Sequence, residues 1–159
     1  MRSPKWWSLP STNLINRLSS AESTAGDVFA EFASLTLGSG AAAMVMARKN
    51  RHGNVHRLIG GVARAGTEHN SLCIGNLDRM TTDTHGLLVA GLDLAADAWD
   101  ASKTDFDWTD GLDWYIFHQV SKVHTTMLCD RLAIDSSKVP LTFPKYGNVG
   151  PAAVPITLA

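Results

Sequence analysis

The chain has 159 residues, with 14 Lys and Arg against 15 Asp and Glu, for a formal net charge of −1. That balance gives no electrostatic case for nucleic acid or an anionic membrane as partner. A hydrophobic fraction of 45% with 18% charged residues belongs to a folded chain rather than a disordered one.

The length fits one domain. No apolar run reaches the roughly 20 residues that a membrane-spanning helix needs. The opening MRSPKWWSLP lacks the continuous apolar core of a secretory signal, so cytoplasm is the expected compartment.

Residues 1–12 hold two adjacent Trp, two Pro and three Ser without any period and read as an irregular arm. The domain is expected over residues 13–159. Loosely recurring Leu14, Ile15, Leu18, Val28, Phe29 and Phe32, interrupted by SSAEST, predict two short helices or one helix and a loop. Residues 35–48, LTLGSGAAAMVMAR, read as a buried strand, and residues 56–66, HRLIGGVARAG, as a second one paired antiparallel to it through the HGN turn.

A polar loop follows. Leu87, Leu88, Leu92, Ala95, Ala96 and Trp99 then recur at helical spacing over residues 84–99, with Asp93 and Asp97 on the other face. After a charged connector over residues 100–113, WYIFHQ reads as a strand, and Val120, Val123, Met127, Leu128 and Leu132 as a helix, with His118 at the junction. KVPLTF at 138–143 is a strand candidate, PKYGNVG a turn, and Pro151 stands in the first turn of another helix. Strands alternating with helices give an α/β class.

Cys73 and Cys129 lie far apart without a CxxC, which indicates neither a zinc site nor a disulfide framework, and both read as buried thiols. The six histidines are scattered. The i, i+4 pair His52 and His56 sits in a segment interrupted by Gly and Asn, so no metal site is expected. His118 at a strand end, just ahead of a helix N-terminus, is a good place for a catalytic imidazole, although alone such a His is more often satisfied by a backbone carbonyl. Asn148, between Gly147 and Gly150, is by itself more often a turn residue.

The two occupy equivalent junctions 30 residues apart. WYIFHQVSKVH followed by VPLTFPKYGNVGPAAVP resembles the C-terminal half of β-ketoacyl-ACP synthase III-like enzymes of the thiolase superfamily. ASLTLGSGAAAMVMAR, GTEHNSLCIGNLDRMTTDTHGLLVAGLDLA and VHTTMLCDRL bring the resemblance to the OleA-type branch, which condenses acyl-CoA thioesters, over about residues 13–159.

The resemblance implies an incomplete C-terminal half of a thiolase-like fold, a mixed sheet covered by helices. It implies catalytic roles for His118 and Asn148 as uncharged donors to a thioester oxygen in a Claisen condensation. The substrate would be acyl-CoA or acyl-ACP, with no cofactor and no metal. The family's nucleophilic Cys, and the Glu that resembles a base in the OleA-type branch, have no counterpart here. Partners would then be an acyl thioester and the absent N-terminal half or a homodimer partner.

The chain alone is accordingly expected to be inactive and to associate through an exposed apolar face. Residues 66–80 could line an acyl pocket or simply cover the core. A non-catalytic thiolase-like module, binding acyl chains or pairing with another subunit, is the competing reading. An unrelated Ser hydrolase finds no G-x-S-x-G elbow.

Overall fold

The structure is a computed structural model that describes residues 24–26, 28, 33, 35–48, 56–75, 80–106, 108 and 111–159. The arm at 1–12 lies outside the described residues, as does most of 13–32, where Ala25, Gly26 and Val28 are helical. The main elements are strands β1 (Cys73–Gly75) and β2 (Met80–Thr82) and helices α1 (Thr84–Phe106), α2 (Lys122–Leu132), α3 (Phe143–Tyr146) and α4 (Ala153–Leu158). Short 3-10 helices cover Thr67–Leu72, Ser136–Lys138 and Gly150–Ala152.

Helix α1 extends past the predicted end at Trp99. The charged residues that suggested a connector are helix-compatible: Lys103 pairs with Asp100 at 2.7 Å, one turn away, and the Ser102 hydroxyl donates to the Trp99 carbonyl. On its solvent side Asp97 meets Arg64 at 2.8 Å and Asp93 meets Arg131 at 3.2 Å. Such exposed pairs contribute little stability. Although α1 is long, no helix among the described residues is long and apolar enough to cross a membrane.

Helix α2 starts where Ser121, in extended backbone, accepts a hydrogen bond from the His124 N–H. It stops at Ala133, whose φ of 54° ends the α-helical run. The core lies between these two helices. Leu92 and Ala96 of α1 meet Leu128, Cys129 and Leu132 of α2 together with Ile134 and Val139. Trp99, Tyr115 and Phe117 pack against this cluster, Trp99 and Tyr115 edge to face with centroids 5.9 Å apart.

The predicted strands are where the structure departs from expectation. Residues 35–48, 56–66, 114–119 and 139–142 carry no strand ladder. Among the described residues the sheet is the two-stranded antiparallel β1–β2 pair, Cys73 opposite Thr82, in the stretch expected to be a polar loop. A ladder needs a neighbour for every backbone group. The apolar strand-like segments face solvent instead, with Val45 97% and Met46 75% exposed. Residues 114–119 nevertheless keep the period of two: Trp114 is exposed, Tyr115 and Phe117 join the core, His118 is exposed, and Gln119 is buried.

Gln119 is 1% exposed and fully bonded. Its Nε2 donates to the Pro140 carbonyl at 2.9 Å and to Thr157 Oγ1 at 3.4 Å. Its Oε1 accepts from the Thr142 and Phe143 amides at 2.8 and 3.0 Å. One side chain thus joins the end of the His118 segment to the 140–143 turn and to α4. Gln119→Leu, close in volume, would strand two amides and a carbonyl, and is expected to lower stability by about 3 kcal/mol or more. Urea denaturation followed by circular dichroism reads this as a fall in midpoint.

Candidate functional site

The His118 and Asn148 junctions come together around one residue, Gly150. His118 Nδ1 lies 3.1 Å from the Gly150 carbonyl oxygen, and the Gly150 N–H donates to Asn148 Oδ1 at 3.1 Å. Gly150 has φ 58°, a left-handed conformation that glycine adopts without steric cost. A Cβ there would meet nothing within 4 Å, so the glycine answers to backbone conformation rather than to space.

Asn148 is also fixed through its own backbone. Its carbonyl accepts from the Gly38 N–H at 2.8 Å, and its N–H donates to the Thr36 carbonyl at 2.9 Å, an isolated parallel bridge centred on Leu37. A Cβ on Gly38 would run into the Tyr146 carbonyl, so the close approach of the two segments requires glycine there. With Oδ1 committed to Gly150, the Asn148 NH₂ group is the end left over. Neither it nor His118 Nε2 has a hydrogen-bond partner among the described residues. The carbonyl partner of a merely structural His is therefore present at Nδ1, and a second nitrogen remains for chemistry.

Three residues of this region escaped the reading of the sequence. Gln119 could have been found from the period of two, which sends it inward beside His118. Gly150 was noticed only as a flank of Asn148. His124, on the first turn of α2, has a buried Nδ1 without a partner. Burial first, and the positive charge of a protonated His118 second, push its pKa below the ordinary 6.5.

The two thiols differ. Cys129 is 3% exposed in the core, and burial, then the charge of Asp130, push its thiol pKa up, which suits packing and not nucleophilic attack. Cys73, expected to be buried, is exposed, because among the described residues β1 belongs to a two-stranded sheet that lies open. Its Sγ is 3.5 Å from Thr82 Oγ1.

The 66–80 stretch contributes Gly66, Glu68, His69 and Leu72 to an open groove of about 590 Å³ against α1. Leu72, Val89, Ala90 and Leu94 line that groove beside Glu68, Asp93 and Asp97, and the two aspartates are paired with Arg131 and Arg64.

A thiol reagent such as Ellman's reagent is expected to label one thiol in the native chain, Cys73, and the second only after denaturant is added. Because His124 prefers its neutral form in the fold, the unfolded chain binds the proton first. Stability should then be full above about pH 7 and decline as pH falls below the ordinary His value. Urea midpoints between about pH 7 and about pH 5 test this, with His124→Gln expected to flatten the decline.

Residues 105–159 match the family described as 3-oxoacyl-[acyl-carrier-protein (ACP)] synthase III, C terminal. Over 146 residues the chain is 46% identical to the acyl-CoA:acyl-CoA alkyltransferase of Xanthomonas campestris, covering 91% of this chain and 43% of that protein. It is 28% identical over 152 residues to the enzyme of the same name from Shewanella oneidensis, covering 87% of this chain and 44% of the relative. Among solved structures, Xanthomonas campestris OleA with bound lauric acid and lauroyl-CoA superposes with a TM-score of 0.88 at 45% identity, over 93% of this chain and 44% of that one. The chain thus spans under half the length of these relatives; its residues 105–159 are similar to the C-terminal part of 3-oxoacyl-ACP synthase III, and its fold is similar to that of the thiolase-like OleA structure.

Proposed function

We propose that this chain supplies the His and Asn of a condensing acyltransferase site that joins two acyl thioesters by a Claisen reaction. The observation that carries the reading is that His118 and Asn148 are anchored to the carbonyl and the N–H of one residue, Gly150, each with one nitrogen unpaired among the described residues. A Claisen reaction builds negative charge on a thioester oxygen, and pre-aimed donors there are each worth roughly 10²- to 10³-fold in rate.

The Asn148 NH₂ is such a donor, held by the bond its oxygen accepts. The His118 ring is the second polar group of the pair. The reading involves no metal or redox cofactor, since hydrogen bonds meet the charge that develops.

With Cys129 buried in the core and Cys73 on β1 beside Thr82, the reading takes the nucleophilic Cys from a companion segment. The apolar residues left exposed at Met44, Val45, Met46, Leu58 and Ile59 favour such a companion. Acyl-CoA is favoured over acyl-ACP as substrate by the names of the two alkyltransferases and by the lauroyl-CoA held by the solved relative. Two free cysteines accord with a cytoplasmic setting.

The test is complementation: the chain is co-expressed with the Cys-bearing N-terminal portion of the Xanthomonas relative, and CoA release from lauroyl-CoA is followed. The chain alone should release none. The complex should turn over, and His118→Ala or Asn148→Ala should each lower the rate by about 10²- to 10³-fold. A complex whose rate ignores both substitutions would favour a non-catalytic, subunit-pairing module.

A further inference from the structure

Gly150 presents a carbonyl oxygen, not an N–H, to His118 Nδ1 at 3.1 Å. A carbonyl oxygen can only accept, so the ring nitrogen facing it must carry the proton. In a neutral imidazole the other nitrogen, Nε2, then holds a lone pair and cannot donate. An oxyanion has no hydrogen to give that lone pair, so a neutral His118 in this tautomer would repel the thioester oxygen rather than hold it.

From this geometry we infer that the Gly150 carbonyl locks His118 in the tautomer protonated on Nδ1, so that His118 donates to a thioester oxygen from Nε2 only as the imidazolium, whereas Asn148 donates from its amide at any pH. The inference rests on the proposed reading of the pair as a thioester site, and it differs from the uncharged His donor that the family resemblance implied. Gly150 is a positioning residue in this scheme. Its carbonyl sets the proton on His118, and its N–H turns the amide of Asn148 so that NH₂ points away from the peptide.

The surroundings agree. Among the described residues the titratable group coupled to His118 is His124 of α2, whose buried Nδ1 has no partner. Burial keeps His124 in its neutral form, so it adds no charge against an imidazolium at His118. The group bonded to the ring is the Gly150 carbonyl, an acceptor with no proton to give to Nδ1. The consequence is a donor that exists only while Nε2 carries a proton, with Asn148 as the donor that remains once it does not.

The tautomer is read directly by long-range ¹H–¹⁵N correlation spectroscopy on the ¹⁵N-labelled full chain, without ligand, in solution or by magic-angle spinning if the chain self-associates. Above the titration midpoint, Nδ1 should show the shift of a protonated ring nitrogen and Nε2 that of an unprotonated one, with Nε2 as the nitrogen that titrates. The reverse pattern would overturn the lock, whether or not the chain ever binds a thioester. Gly150→Ala should move the neutral ring toward a mixture of both tautomers, a change that loss of stability alone does not produce. If that variant fails to fold, the wild-type spectrum still decides.

In the complemented complex, with lauroyl-CoA as probe, the rate should fall by about tenfold per pH unit above the midpoint found by NMR. His118→Gln, whose amide donates without titrating, should remove that fall. A wild-type profile that stays flat through the midpoint would overturn the imidazolium role, whereas absence of any turnover at any pH would count against the proposed function instead.

Discussion

The buried amide of Gln119 is the constraint on which the arrangement of this chain depends. It satisfies a carbonyl, a hydroxyl and two backbone amides drawn from the 140–143 turn and helix α4. Each of those groups, if left unpaired in the interior, would cost about 1 to 3 kcal/mol. A polar side chain at a core position is tolerated because every one of its bonding positions is used. Since the next residue back is His118, and since α4 follows directly on the turn that holds Asn148 and Gly150, the same amide fixes the distance between the two junctions of the site.

A second layer of fixation comes from backbone alone. Asn148 exchanges both of its peptide hydrogen bonds with Thr36 and Gly38, residues more than a hundred positions earlier in the chain. Contacts of that separation cost loop-closure entropy, and here they return it by holding a side chain that has few rotamer constraints of its own. Gly38 permits the approach, and Gly150 permits the left-handed turn. The Asn148 amide is thereby oriented by bonds on its oxygen and its main chain, leaving the nitrogen unencumbered.

The helical and extended parts of the molecule contrast in how far they are satisfied. Helices α1 and α2 bury one face each and close a small core, because a helix makes its own backbone hydrogen bonds and needs a neighbour only for its apolar stripe. The strand-like segments at 39–48 and 56–61 cannot do this. Their backbone groups require an adjacent strand, and their apolar side chains, Val45 and Leu58 among them, stand in solvent. The same chemistry that makes these sequences read as strands leaves their backbone groups without a ladder among the described residues.

What the sequence determined by itself was local or periodic. Helix α1 was legible from Leu88, Leu92, Ala96 and Trp99 because a 3.6-residue period is written along one element, and α2 was legible from its apolar recurrence, of which Leu128 and Leu132 are buried while Val123 and Met127 are exposed. His118 and Asn148 were legible as a pair through the family motifs around them. Tertiary structure decided everything that needs a partner from elsewhere in the chain. Whether residues 35–48 form a ladder depends on neighbours, not on their own composition. The exposure of Cys73 depends on an open two-stranded sheet. Which nitrogen of His118 carries the proton depends on whether Gly150, 32 residues on, turns its carbonyl or its amide toward the ring. No pattern within a short window encodes that choice, because it is a property of how the two junctions dock.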